Sequence, residues 1–163
     1  VTGQNKIVIA AAGSGKTTYL VENALKIKNE RVLITTYTES NEAEIRQRFF
    51  DLAGRVPANV VIMTWFSLLI THGVKPFQGG LFDFPVKGML LVQEQSGIRF
   101  RNNKGIAVQW PEEEIQKHFF DPTGRVFSDK LAKLVIRCND KSGGAVIDRL
   151  RVANTSHPRI WSR

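Results

Sequence analysis

The chain has 163 residues, 42% of them hydrophobic and 23% charged, with a formal net charge of +8 and an isoelectric point near 9.9. That composition supports a core of one-domain size and excludes a chain disordered throughout. A single cysteine, Cys138, excludes an internal disulfide and a cysteine-based metal cluster, and no apolar run approaches the ~20 residues that span a bilayer.

The start also lacks the pattern of a secretory signal, so the expectation is a soluble, cytoplasmic protein with no membrane partner. His72, His118 and His157 are scattered without metal-ligand spacing, and Cys138 is expected to be a buried structural thiol. Basic residues outnumber acidic ones 9 to 4 over residues 121–163 and 14 to 11 over residues 1–120. The excess favours polyanionic partners without identifying one.

In chain order, Lys6 to Leu20 reads K-I-V-I-A-A-A-G-S-G-K-T-T-Y-L. A β-branched run (Ile7, Val8, Ile9) gives way to small residues and then to a helix-period pattern at Lys16, which predicts strand, phosphate loop and helix. Glycine admits backbone angles that other residues avoid, and a helix start aims N–H groups and a positive dipole end at an anion. The candidate nucleotide site is therefore Ala12, Gly13, Ser14, Gly15, Lys16, Thr17 and Thr18. Lys16 would meet the β and γ phosphates of a nucleoside triphosphate, Thr17 would ligate the nucleotide's Mg2+, and Thr18 would close the first turn. The pattern asks for glycine six residues before the lysine; Ala10 stands there, also small.

Leu20, Val21, Ala24, Leu25 and Ile27 predict an amphipathic helix from Lys16 to about Lys28. Arg31–Thr36 predicts a second parallel strand, completing a βαβ unit. A helix capped by Ser40 or Asn41 should bury Ala43, Ile45, Phe49 and Leu52. Val60–Met63 predicts a third strand, and Thr64–Ile70 a helix that His72 and Gly73 end.

From Lys75 onward glycine and proline break the pattern, predicting a subdomain with a small core from Phe77, Leu81, Phe82, Phe84, Leu90, Leu91 and Phe100. Pro111 with Glu112, Glu113 and Glu114 reads as a helix start, and Ser128 as the cap of a further helix. The tail has no clear periodicity.

Three stretches together resemble the UvrD/Rep-type superfamily-one helicases: A-A-A-G-S-G-K-T-T, then T-T-Y-T-E-S-N-E-A-E-I-R from Thr35 to Arg46, then M-T-W-F-S from Met63 to Ser67. The resemblance implies an α/β, RecA-like P-loop NTPase sheet with flanking helices over residues 1–74. It also implies a mostly helical inserted subdomain over 75–150, with 151–163 an irregular tail or truncation. ATP and Mg2+ are the implied cofactors, with Lys16 and Thr17 the catalytic positions. The implied partners are single-stranded DNA, RNA staying open, and the remainder of a helicase chain. Carried over by position, Tyr37, Thr38, Thr64 and Trp65 would lie along the nucleic acid.

Departures from that pattern are informative. Glu39 replaces the usual asparagine, Phe66 the usual histidine, and Gln4 stands too near the loop to read adenine. No apolar strand ending in Asp-Glu follows the broken stretch: Met89–Glu94 imitates one poorly, and Asp148 precedes an arginine. That pair holds magnesium and orients the attacking water, so the expectation is an N-terminal piece of a helicase whose hydrolysis alone is weak or absent. Val1, not methionine, agrees with it. The competing readings are a small P-loop kinase or other phosphotransferase, and a non-catalytic nucleotide-binding module.

Overall fold

The computed structural model describes Ile9, Ala11, residues 13–155 and residues 159–161, the last of these and 151–155 by backbone alone. The chain forms two compact units, residues 1–65 with 151–163, and residues 66–150.

In the first unit, α1 (Lys16–Lys26) leads to β1 (Val32–Thr36), α2 (Glu39–Ala53) and β2 (Val60–Thr64). β1 and β2 pair in parallel, Val32 opposite Val60 through Thr36 opposite Thr64, so the crossover unit is β1–α2–β2. Strand alternation places Val32, Ile34, Val60 and Ile62 on one face, where Leu20, Val21 and Ala24 of α1 and Ile45 and Phe49 of α2 bury against them. Leu52, expected inside, is exposed, as is Val61. The first strand expected lies outside the described residues except for Ile9, which is exposed and in no strand.

Thr38, not Ser40 or Asn41, caps α2: its hydroxyl accepts from the Asn41 N–H at 3.1 Å. Glu39 and Glu42 then sit at the positive end of the helix dipole. Arg46 joins Glu42 at 2.7 Å and donates to the Ile62 carbonyl at 2.8 Å, tying α2 to β2. The described residues of the tail are helical and then extended. α6 (Ala145–Thr155) runs into it, and β7 (Arg159–Trp161) pairs in parallel with β1, giving the sheet order β2-β1-β7.

The helix beginning at Trp65 does not stop at His72 and Gly73. α3 (Trp65–Leu68) continues as a π-helical turn over Leu69–Val74, with the Lys75 N–H donating to the Ile70 carbonyl. Gly73 lets α5 (Leu131–Lys141) come close, because a Cβ there would stand 3.2 Å from the Val135 methyl groups.

The second unit adds two short strand pairs to its helices. β3 (Gly88–Leu90) pairs in parallel with β6 (Arg125–Phe127), and β4 (Ile98–Arg101) pairs antiparallel with β5 (Ala107–Gln109). Phe82, Phe119, Val126, Leu131, Leu134, Cys138 and Val146 bury together, with Phe77, Leu81 and Phe84 partly buried against them. Phe82, Phe84 and Phe120 contribute ring contacts at 4.6–5.1 Å. Leu91 and Phe100, expected in this core, are exposed. Burial pushes the Cys138 thiol up to about 11.

The acidic run does not open a helix at Pro111. α4 (Ile115–Phe119) begins after Glu114, while Glu112 binds the ammonium of Lys133 and accepts at its carbonyl from Arg137 at 2.8 Å. Ser128 caps nothing; its hydroxyl accepts from the Val92 N–H at 3.0 Å, and α5 starts at Leu131. Tertiary partners took both signals from the local helix.

Asp121 staples the turn before β6. Its carboxylate accepts from the Thr123 N–H, the Thr123 hydroxyl, the Arg125 N–H and the Arg125 guanidinium at 2.7–3.0 Å. Burial alone would raise its pKa, but the Arg125 N–H, the Thr123 hydroxyl and the Arg125 charge outweigh that and hold it well below the usual carboxylate range. A depressed folded-state pKa gives stability that is present above the unfolded value of ~3.9 and lost as pH falls through the folded one. The melting temperature should therefore decline below about pH 4, and Asp121→Asn should flatten that decline in a calorimetric pH series.

Candidate nucleotide-binding site

Gly13 and Gly15 take φ values of 75° and 80°, in the left-handed region. A Cβ at either would meet nothing within 4 Å, so the positions need glycine for backbone conformation and not for space. The Ser14 N–H and hydroxyl both donate to the Ala11 carbonyl, at 3.3 and 2.7 Å, closing the turn.

Gly15 is the N-cap of α1 and offers no capping side chain, and no acidic residue stands in the first turn. The positive end of the α1 dipole therefore faces the loop with no carboxylate of its own first turn against it. Lys16 lies half-buried in that turn and donates from Nζ to the Ala11 carbonyl at 2.6 Å, folding its charge back over the loop. Thr17 and Thr18 are half-buried beside it. These residues fit a magnesium-bound polyphosphate: left-handed glycines, an uncapped helix start, one ammonium and one hydroxyl. Ala10, Ala12 and Gln4 lie outside the described residues.

The remaining sequence-predicted residues meet at one edge of the sheet. Thr36 pairs with Thr64, so Tyr37 and Trp65 leave neighbouring parallel strands at the same level. Tyr37 is 64% exposed and Trp65 36%, whereas Thr64 is buried and Thr38 has its hydroxyl in the α2 cap.

The start of α1 belongs to that edge too. Asn59 at the foot of β2 donates to the Ile27 and Glu30 carbonyls at 2.9 and 2.8 Å, fixing the end of α1 beside the strand starts. α1 packs on the β1–β2 face, so its first turn points back to the strands' carboxyl ends, where open parallel sheets take ligands. The Thr36 hydroxyl, buried at that end of β1, has no hydrogen-bond partner among the described residues. Sequence reading gave no role to Arg46, whose bonds fix α2 against β2 below this edge; its sequence signals are its place at the end of the Thr35–Arg46 stretch and its i,i+4 spacing from Glu42.

No helix among the described residues is long and apolar enough to cross a membrane. Residues 1–75 match the family described as the UvrD/REP helicase N-terminal domain. Over 96% of its length the chain is 46% identical to a large protein of Anoxybacillus flavithermus described as an ATP-dependent helicase/nuclease subunit. Proteins of the same description from Clostridium novyi and Clostridium perfringens are 41% identical over 34% of the chain and 27% identical over 58%. The chain spans 14% of the Anoxybacillus protein, and its matches cover 5% and 8% of the clostridial ones. No solved structure matches the chain. Residues 1–75 are thus similar to the UvrD/REP helicase N-terminal domain, and the chain as a whole to one segment of an ATP-dependent helicase/nuclease subunit.

Proposed function

We propose that the chain is the nucleotide-binding front of a RecA-like motor in an ATP-dependent DNA helicase. Gly13 to Thr18 would receive Mg-ATP, and Tyr37, Thr38, Thr64 and Trp65 would contact single-stranded DNA. The observation that carries this reading is the shared sheet edge, onto which the uncapped start of α1 and the ends of β1 and β2 converge. A base contact at one strand end then lies within one packed unit of the phosphate site. Bound Mg-ATP supplies the phosphoanhydride whose cleavage drives such motors. This chain's own residues bind and orient it: the loop by N–H groups and glycine geometry, Lys16 by charge, and Thr17 by its hydroxyl.

An apolar strand ending in Asp-Glu does not occur in these 163 residues. The chain should accordingly bind a fluorescent ATP analogue in magnesium buffer yet hydrolyse ATP no faster than a Lys16→Ala control. A longer protein that carries the chain and supplies that pair should hydrolyse ATP, faster with oligothymidylate. DNA-stimulated turnover by the 163 residues alone, or no nucleotide binding at all, would sink the reading. Phosphate transfer to a small-molecule acceptor would instead favour a phosphotransferase.

A further inference from the structure

We infer that the β4–β5 hairpin is a second contact for single-stranded nucleic acid, separate from the edge at Tyr37 and Trp65. It rests on the nucleic-acid half of the proposed function and not on its nucleotide half.

The argument starts from an irregularity in pairing. Ile98 opposes Gln109 and Phe100 opposes Val108, so Arg99 is an extra residue on β4, a β-bulge. Along β5 and beyond, alternation places Val108 and Trp110 on one face and Ala107 and Gln109 on the other. Phe100, opposite Val108, joins the Val108 and Trp110 face. Without the bulge the register would turn it away. Arg99 is on that face too, its guanidinium 4.9 Å from the Trp110 ring centre, and the Lys117 ammonium lies 4.4 Å from the same ring. The bulge has thus turned Phe100 and Arg99 to the Val108 and Trp110 face, where Lys117 of α4 also meets the Trp110 ring.

The unit's own core does not use this face. Phe100 is 50% exposed and Ile106, at the hairpin end, 59%. Residues 98–110 carry Arg99, Arg101 and Lys104 and no acidic side chain. Two ion pairs reach this region, Glu94 with Arg101 at 3.8 Å and Glu114 with Lys117 at 3.0 Å.

The hairpin is also held rigid. The Asn102 side-chain oxygen accepts from the N–H groups of Lys104 and Ile106 at 3.0 and 2.9 Å, and Arg101 donates to the Gly105 carbonyl at 3.1 Å. At the base, the Trp110 N–H donates to the Gly97 carbonyl at 2.8 Å and its carbonyl accepts from His118 Nδ1 at 2.5 Å. Gly97 has φ +64°, and a Cβ there would come within 2.5 Å of the His118 carbonyl oxygen, so this base admits glycine alone.

A fixed sheet face with exposed aromatics among basic side chains suits unpaired bases, which stack on the rings while phosphates meet the cations. Phe100 supplies the accessible ring, and Trp110, on the same face, is in contact with Arg99 and Lys117. An apolar protein partner would leave the Arg99 guanidinium, which has no ion pair among the described residues, without a counter-charge.

The test is fluorescence anisotropy of labelled oligothymidylate with the 163-residue chain. Phe100→Ala should weaken binding about tenfold, within what a stacked base contributes. Arg99→Ala should lower the steepness of the salt dependence by about 0.7, one phosphate contact on a single strand. Both variants should keep the parent's melting temperature and its affinity for the ATP analogue. If both bind oligothymidylate within twofold of the parent while Tyr37→Ala does not, the hairpin proposal fails and the proposed function stands. If no form binds it, both fail in their nucleic-acid part. Loss of self-association in Phe100→Ala, with unchanged oligonucleotide binding, would reassign the face to protein contact.

Discussion

Lys16→Ala should lower affinity for a fluorescent ATP analogue in magnesium buffer by about a hundredfold, measured by direct titration. The side chain is the one ammonium in the first turn of α1, and in the free protein it bonds the loop's own Ala11 carbonyl at 2.6 Å. Charge-assisted contacts to phosphate oxygens contribute roughly 1.5–3 kcal/mol each, and every ~1.4 kcal/mol is tenfold in affinity. The loss should grow from the monophosphate to the triphosphate analogue, because the ammonium's expected partners are the outer phosphates. Folding stability should change by less than about 0.5 kcal/mol, the usual range for a surface substitution. An affinity within threefold of the parent would show that the loop's N–H groups and the helix start bind without the lysine.

Legibility followed the physics of each signal. α1, β1, α2 and β2 appear within a few residues of their expected bounds because each repeats its apolar positions at the period of its own element. The loop was legible because Gly13 and Gly15 need left-handed angles that few other residues accept. Thr38 as the α2 cap was not, since Thr38, Ser40 and Asn41 are all competent caps and the approach of the chain from β1 selects among them. Glu112 was misread for a related reason: a carboxylate near a proline suits a helix start, but Lys133 and Arg137, more than twenty residues away, bind it in the fold. Phe100 was placed in the core on hydrophobicity alone, and a one-residue bulge is invisible to periodicity. β7 could not be foreseen from three residues without alternation; its pairing with β1 makes it a strand.

Phe49→Ala should be the most damaging change in the first unit. Phe49 is fully buried between α1, α2 and the β1–β2 face, and truncating such a ring removes about 3–5 kcal/mol. In a chain of this size that corresponds to a fall of roughly 10 °C in melting temperature by circular dichroism. The adjacent Phe50 is 52% exposed, so Phe50→Ala should stay within about 1 kcal/mol of the parent. Phe49 also supports the packing that points α1 toward the strand ends, so nucleotide affinity should fall with it. Equal effects of the two substitutions would contradict the assignment of the buried face.

The buried sulfur of α5 has a practical consequence. With its pKa pushed up to about 11, Cys138 is ionised in roughly one molecule in ten thousand at neutral pH, and thiol reagents attack the ionised form. It is also the only sulfhydryl in the sequence. Ile106→Cys or Ser40→Cys, exposed and beside the contacting rings without replacing them, would therefore carry the one reactive thiol of the folded protein. A dye could be attached at the hairpin or at the sheet edge in turn, with the native cysteine left in place, and each surface would report its own ligand.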